Sequence, residues 1–178
     1  MKSGSSRIGR RAISVLAFAA TATALASSPA SASGVGNIIN MNSGKCLEVA
    51  DWSQNNGAAV RQWTCGNFQA NQVWYEEVNI DGTIQIVNQN SGKCLEIADW
   101  SQADGAIARQ WTCTGGDNQK WVAEWYNTGK VYVNANSSRV LEIADWSKAN
   151  GAIARQWAPG WQPNDGIQKN QAWGMVGR

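Results

Sequence analysis

Three near-copies of one segment follow one another along the chain, and this repetition limits the fold more than any other feature of the sequence. Each copy carries Leu-Glu-(Val or Ile)-Ala-Asp-Trp, then Arg-Gln-Trp, then Asn-Gln-x-Trp. The glutamates of the first motif fall at nearly equal intervals and are Glu48, Glu96 and Glu142. Repeats over about 36–80, 81–128 and 129–178 fill almost everything after the N-terminal segment. The sequence therefore predicts one domain built from three similar units.

The apolar residues of each repeat are grouped in short runs, which is typical of strands. In the first repeat these runs cover 47–50, 59–64 and 73–78, with Ser, Asn, Asp and Gly between them. Asp81-Gly82 separates two apolar runs as the turn of a β-hairpin does, and no stretch keeps a helical period. The sequence predicts an all-β fold with about four strands per repeat. Because a propeller needs about four or more blades to close, three repeats favour a closed barrel with threefold pseudo-symmetry.

The N-terminal segment has the composition of a secretory signal. Four basic residues come first, an apolar stretch covers 12–26, and Ala30-Ser31-Ala32 is a small-residue cleavage site. The alternative is an N-terminal anchor, but the apolar run is short for a bilayer and no later stop-transfer segment follows. We expect a signal peptide at 1–32, a mature domain at 33–178, and a secreted, extracellular protein without membrane insertion.

Composition removes several classes of function. The chain has no His, so catalytic Ser-His-Asp or Cys-His pairs and His-ligated zinc are excluded. Lys and Arg number 15 against 13 Asp and Glu, and this balance provides no basic surface for nucleic acid. We expect no metal, no cofactor and no nucleic-acid partner. The 11 Trp residues require a role either in the core or at a binding surface.

Four cysteines occupy matching places in the first two repeats. In a secreted chain they most simply form disulfides Cys46–Cys65 and Cys94–Cys113. If each pair lies directly opposite in an antiparallel ladder, then the residues two positions inward are also opposite, which pairs Glu48 with Trp63. Leu47 and Val49, on the other face, are expected in the core. The third repeat lacks the cysteines but keeps the Glu and the Trp, so these two residues serve a purpose independent of the disulfide.

A carboxylate beside an exposed indole is a combination suited to neutral sugars. The carboxylate accepts hydrogen bonds from two vicinal hydroxyls, the flat ring covers the C–H face of the sugar, and an Asn amide both donates and accepts. The sequence therefore predicts up to three equivalent shallow sites, one per repeat. Their expected residues are Glu48, Asp51, Trp52, Trp63 and Asn71; Glu96, Asp99, Trp100, Trp111 and Asn118; and Glu142, Asp145, Trp146, Trp157 and Asn170.

Several of these residues have an alternative role in the scaffold. The Glu could be a solvated strand residue, and the Asp of each Asp-Trp could be a turn residue that bonds its own backbone. The following Trp, on a polar loop, is expected to wall the pocket. The Arg of Arg-Gln-Trp is expected to form ion pairs with the carboxylates, with direct sugar contact as the second choice. The Trp of each Gln-x-Trp is expected in the core, with its Gln bonded to backbone.

The combination of Cys-Leu-Glu-Val, Gln-Trp-Thr-Cys and Asn-Gln-x-Trp resembles the ricin B-type lectin domain, also called the family 13 carbohydrate-binding module. The resemblance covers nearly all of the mature chain and implies a β-trefoil that binds galactose-type and related sugars. It implies that the Glu of the first motif, the Trp of Arg-Gln-Trp and the Asn of Asn-Gln-x-Trp bind the sugar in each repeat. The family usually has Asp where this chain has Glu48, so a 6-deoxy sugar such as rhamnose, with its methyl group on Trp52, is an alternative to galactose.

Two other functions compete with sugar binding by a lectin. A glycosidase needs two carboxylates flanking one bond, and Glu76-Glu77, the one adjacent acidic pair, has no counterpart in the other repeats. A protein-binding trefoil, such as a secreted protease inhibitor, would use one unique loop, and the insertion at 158–166 is the candidate for it. We expect a non-enzymatic protein whose partners are mono- or oligosaccharides, glycoconjugates or polysaccharides.

Overall fold

Twelve strands make up the described part of the chain, and this confirms the all-β prediction. The computed structural model describes residues 32–67, 69–163 and 166–177. The strands are β1 (Ala32–Asn40), β2 (Cys46–Val49), β3 (Val60–Trp63), β4 (Val73–Val78), β5 (Ile84–Asn88), β6 (Cys94–Ile97), β7 (Ala108–Trp111), β8 (Trp121–Tyr126), β9 (Gly129–Asn134), β10 (Val140–Ile143), β11 (Ala154–Trp157) and β12 (Trp173–Gly177). Six single-turn 3₁₀ helices lie between them: Ala50–Trp52, Ala70–Gln72, Ala98–Trp100, Asp117–Gln119, Ala144–Trp146 and Lys169–Gln171. Among the described residues, no helix is long and apolar enough to cross a membrane.

Six of the strands close a barrel, and the other six form three hairpins. In the barrel β1 pairs with β4, β4 with β5, β5 with β8, β8 with β9, β9 with β12, and β12 with β1, all antiparallel. The hairpins are β2–β3, β6–β7 and β10–β11, one per repeat. Single bridges join the second strands of the three hairpins in a cycle. Because each repeat gives two barrel strands and one hairpin, the threefold barrel predicted from the repeats is confirmed.

The core contains the Trp of each Gln-x-Trp motif, as predicted. Trp74, Trp121 and Trp173 have no exposed surface. Each indole Nε1–H donates to the carbonyl of the Leu that precedes the repeated Glu, at 2.9, 3.2 and 3.0 Å. The core also includes Leu47 and Val49. These contacts join the end of every repeat to its own first hairpin strand, so the repeated motifs are linked through the core as well as along the chain.

Both expected disulfides form, but the strand register differs from the prediction by two residues. Cys46 bonds Cys65 and Cys94 bonds Cys113. In the ladder, however, Cys46 lies opposite Trp63, and Glu48 lies opposite Arg61 instead of Trp63. The reason is that β3 ends at Trp63, so Cys65 lies beyond the ladder and the disulfide is not a directly opposed pair. A two-residue shift keeps every side chain on its face, and Glu48 therefore still shares a face with Trp63.

A buried ion pair lies within the barrel. The ammonium of Lys130 is 2.8 and 2.7 Å from the two carboxylate oxygens of Glu76, and the hydroxyl of Tyr132 donates to the same carboxylate. Burial, followed by the nearby charge of Glu76, raises the pKa of Tyr132 well above its ordinary value. Glu77 is the neighbour of Glu76 on β4 and is only partly buried. Since successive residues of a strand point to opposite faces, the two glutamates do not form a paired acidic site.

Candidate functional site

The repeated glutamate is the buried centre of a hydrogen-bond network. Glu48 is 3% exposed. Its Oε1 accepts from Arg61 Nε at 2.9 Å, and its Oε2 accepts from Gln72 Nε2 at 3.0 Å and from Asn71 Nδ2 at 3.4 Å. Glu96 and Glu142 have the same three partners in their own repeats. A carboxylate has about four acceptor positions, so each Glu keeps about one for a ligand, fewer than the two expected from the sequence.

The repeated arginine connects the buried carboxylate to an exposed one. Arg61 Nη2 lies 3.0 Å from Oδ1 of Asp51, whose side chain is 82% exposed, while its Nε bonds Glu48. The same double ion pair occurs at Arg109 and Arg155. Burial alone would lower the pKa of Arg61, but the hydrogen bond and charge of Glu48, and then those of Asp51, raise it. The predicted ion pairs are confirmed, and Asp51 presents its second oxygen to solvent.

Each arginine also covers a tryptophan ring. The guanidinium carbon of Arg61 lies 4.6 Å from the ring centre of Trp63, and the equivalent distances are 4.5 Å for Arg109 and 4.3 Å for Arg155. Such cation–π contacts hold the two groups together. Because Arg61 occupies one side of Trp63, the more exposed indole of the first repeat is the loop residue, Trp52, at 49%. The expectation that Trp63 is not fully buried is confirmed.

The Asp-Trp loop has an unusual backbone conformation that recurs in every repeat. Asp51 and Trp52 have φ angles of 54° and 57°, and the equivalent pairs in the other repeats agree within a few degrees. Asp tolerates this left-handed region, but for a bulky residue such as Trp it is an outlier. The carboxylate of Asp51 is paired with Arg61, so this Asp lies in a turn and belongs to the charged network as well. Backbone strain of this kind is concentrated at functional sites.

The following repeat supplies the contacts that hold each Asp-Trp loop. Asn90 Nδ2 donates to the carbonyl of Trp52 at 3.1 Å, and Gln110 Nε2 donates to the carbonyls of Ser53 and Asn55, both at 2.9 Å. The same contacts join the third repeat to the second and the first to the third. These positioning residues were not predicted from the sequence. The recurring Asn-Ser before each hairpin was the available signal, but residues from different repeats become neighbours only when the barrel closes.

The predicted residues of the second and third repeats line two open cavities. The cavity of the second repeat has a volume of about 240 Å³ and is lined by Glu96, Asp99, Trp100, Arg109, Trp111, Thr114, Asn118 and Gln119. That of the third has about 220 Å³ and is lined by Glu142, Asp145, Trp146, Arg155, Trp157, Gln168 and Asn170. In the first repeat the equivalent side chains make the same ion pairs and ring contacts. The structure therefore brings together the ten predicted residues of the second and third repeats, and Glu48, Asp51, Trp63 and Asn71 in the first. Trp52 follows Asp51 in the chain and is exposed.

In the first and third repeats the asparagine has a polar atom without a partner. Asn71 Nδ2 donates to the carbonyl of Val49 at 3.0 Å and to Glu48, so the amide nitrogen must face inward. The Oδ1 atoms of Asn71 and Asn170 are buried and have no hydrogen bond. An unpaired buried acceptor costs about 1–3 kcal/mol. Because Asn170 lines the cavity of its repeat, a ligand hydroxyl that donates to this oxygen would satisfy it. Among the described residues, no three metal-ligating side chains cluster.

The fold and the site together define the class of this protein. It is a β-trefoil whose three repeats each carry a cluster of carboxylates, an arginine and an indole. The sequence model of the ricin-type beta-trefoil lectin domain matches residues 34–173. The chain therefore belongs to that family, which confirms the resemblance found from the motifs. A search of curated proteins returns no match.

Solved structures agree with this assignment. ThreeFoil, a designed threefold-symmetric protein, is 30% identical with a TM-score of 0.70, covering 80% of this chain and 98% of that one. An exo-beta-1,3-galactanase from Clostridium thermocellum is 33% identical with a TM-score of 0.71, and the match covers 81% of this chain but only 30% of the galactanase. The C-half of an earthworm R-type lectin, in complex with GalNAc, is 16% identical with a TM-score of 0.59, covering 79% and 95%, and shows the fold alone.

Proposed function

We propose that the protein is a secreted, non-enzymatic lectin with three equivalent shallow sugar sites, one per repeat. The observation that carries this proposal is the same exposed carboxylate, held by the same arginine that covers an indole, three times over. Membership of the ricin-type lectin family supports carbohydrate as the partner. The galactanase match covers less than a third of that enzyme, which agrees with a binding role for the shared portion.

Each group in a site has a distinct part in binding. The exposed oxygen of Asp51 accepts from a sugar hydroxyl, and the buried Glu48 offers its remaining acceptor position at the floor. The indoles of Trp52 and Trp63 cover the C–H face of the ring and exclude water. The unpaired Oδ1 of Asn71 accepts a hydrogen bond from a further sugar hydroxyl. Arg61 chiefly positions the two carboxylates, since both of its ion pairs are made with them.

The proposed ligands are neutral galactose-type sugars, with a 6-deoxy sugar such as rhamnose as the alternative. Every carboxylate of the site is already paired with an arginine, so a neutral polyhydroxyl ligand adds no unpaired charge to the cavity. A cavity of about 240 Å³ suits one sugar unit. The GalNAc bound by the earthworm lectin is itself a galactose-type sugar.

Secretion is proposed from the sequence and from the disulfides. The expected signal segment falls on residues 1–31, which lie outside the described residues, and on Ala32, where β1 begins. The two disulfides of the structure are typical of oxidising, extracellular compartments. N-terminal sequencing of the protein recovered from the culture medium tests this part. A mature chain that begins near residue 33 is expected, and a cell-associated chain that begins at Met1 would contradict it.

A glycan array followed by titration tests the proposed function. The wild-type protein is expected to bind galactose-type or rhamnose-containing glycans, with affinities for single sugars between millimolar and micromolar because the contacts are few and shallow. The control is a triple variant, Asp51→Asn, Asp99→Asn and Asp145→Asn, in which only exposed carboxylates change, so its fold should persist. Wild-type protein that binds no glycan, or a triple variant that binds as well as wild type, would contradict the proposal.

A further inference from the structure

A second cavity adjoins the site of the third repeat. It has a volume of about 240 Å³ and is lined by Thr128, Trp146, Gln162, Pro163, Ile167, Gln168 and Lys169. Two of these residues, Trp146 and Gln168, also line the cavity that holds Glu142 and Asp145. The two cavities are therefore neighbours that share an indole and an amide side chain.

The insertion of the third repeat builds the outer wall of this second cavity. The segment from Trp157 to Asn170 is several residues longer than its counterparts in the other repeats. Several contacts hold the insertion against the barrel. The ring of Trp161 packs on Tyr126 with centres 5.3 Å apart. The backbone N–H of Gln168 donates to the carbonyl of Gly160 at 2.9 Å, and Thr128 Oγ1 donates to the carbonyl of Ile167. The described residues of this segment are therefore packed against the end of the second repeat.

The backbone of the shared tryptophan is held by the first repeat. Trp146 is 48% exposed and lies in the left-handed backbone region. Asn42 Nδ2, from the first repeat, donates to its carbonyl at 3.0 Å. An indole presents a large, rigid apolar surface, so one ring can contact a ligand unit in each cavity.

We propose that the third site extends across Trp146 and binds two linked sugar units, whereas the second site binds one. This inference rests on the proposed function, because the first unit occupies the cavity of Glu142 and Asp145. The second unit lies against Trp146, Pro163 and Ile167. Gln162 and Lys169, both exposed, supply hydrogen bonds to its hydroxyls, and their side chains have no hydrogen-bond partner among the described residues. The third repeat thereby recognises a sugar together with its neighbour in an oligosaccharide.

Proteins with one remaining site separate this inference from avidity. Asp51→Asn with Asp99→Asn leaves the third site, and Asp51→Asn with Asp145→Asn leaves the second site as the matched control. Each is titrated with galactose, with rhamnose, and with a panel of galactobioses that differ in linkage. We expect at least one disaccharide to bind the third site about tenfold more tightly than galactose, while no disaccharide gains more than about twofold at the second. A disaccharide gain that is equal at the two sites, or absent at both, overturns the inference alone.

A second pair of substitutions locates the extra contact. Gln162→Ala with Lys169→Ala, placed in the protein that keeps only the third site, should reduce its disaccharide affinity to that of galactose. Both side chains are exposed, and thermal melting confirms that the fold is retained. An undiminished disaccharide gain in this variant would overturn the assignment of the second cavity. Absence of galactose and rhamnose binding at both single sites would instead overturn the proposed function, and this inference with it.

Discussion

Arg61 pairs with one buried carboxylate, Glu48, and one exposed carboxylate, Asp51. Substituting each in turn compares the buried and the exposed parts of the same site. Glu48→Gln keeps the size of the side chain but replaces an acceptor oxygen with an amide that donates. Because all three partners of Glu48 are donors, at least one of them then faces an NH₂ group. Asp51→Asn makes the same chemical change at a carboxylate whose side chain is 82% exposed. The second variant is therefore the matched control for the first.

The expected magnitudes differ severalfold. Removing one partner of a buried ion pair costs about 3–5 kcal/mol of unfolding free energy, whereas an exposed pair contributes about 0–1 kcal/mol. For a domain of this size, about 1 kcal/mol shifts the melting temperature by roughly 2–4 °C. Glu48→Gln should therefore lower the melting temperature by about 6–20 °C, and Asp51→Asn by at most about 4 °C. Both variants should lose sugar binding at the first site only.

Calorimetric melting and sugar titration on the same samples decide the outcome. If Glu48→Gln melts within about 1 °C of wild type, then the glutamate is a solvated residue and the buried network has been assigned wrongly. If Asp51→Asn instead unfolds the protein, the exposed carboxylate has a structural role that the geometry does not explain.

Three further predictions test other parts of the structure. Trp74→Ala should destabilise the fold by about 3–5 kcal/mol in a melting experiment, because truncation of a fully buried indole leaves a cavity. Trp63→Ala should mainly remove one sugar site. The reverse pattern would mean that the roles of these two indoles have been exchanged. Asn90→Ala should weaken sugar binding at the first site by about two- to tenfold, because the hydrogen bond to the Trp52 carbonyl is lost. Asn90 itself belongs to the second repeat, so a loss of binding at the second site would refute the cross-repeat contact. The carboxyl of Asp81 should titrate by NMR with a pKa of about 2 instead of near 3.8, because the hydroxyl of Thr83, and then Lys120, lowers its pKa. The small stability that this carboxylate contributes is present above its unfolded-state pKa and is lost as pH falls through about 2. A midpoint near 3.8 would contradict the turn geometry.

Much of the fold could be predicted because the three repeats carry the same local signals. The spacing of the cysteines fixed both disulfides, and Asp81-Gly82 marked a turn in which Gly82 does adopt a positive φ. The strand register was wrong by two residues, since a disulfide can join a residue in the ladder to one beyond the strand end. Sequence spacing alone does not distinguish these arrangements.

The composition of the candidate site was predicted more completely than its burial. The motifs identified the residues that cluster in each repeat, but they did not predict how deeply Glu48 is buried. Its burial depends on Gln72 and Asn71, which donate to it from a segment more than twenty residues further along the chain. The role of Asn90 was not predicted for a similar reason, because its contact with the Trp52 carbonyl spans two repeats. Such contacts arise from barrel closure, which a local pattern does not encode.

The number of sugar sites tests the central claim most directly. In a wild-type protein with ¹⁵N-labelled indoles, titration with galactose and, separately, with rhamnose follows each tryptophan Nε1–H signal by NMR. We expect one of these sugars to shift the signals of Trp52, Trp100 and Trp146 together, with three sugars bound per chain. The signals of the buried Trp74, Trp121 and Trp173 should change little. Shifts confined to one repeat, or a stoichiometry of one, would contradict the claim that the three repeats form equivalent sites.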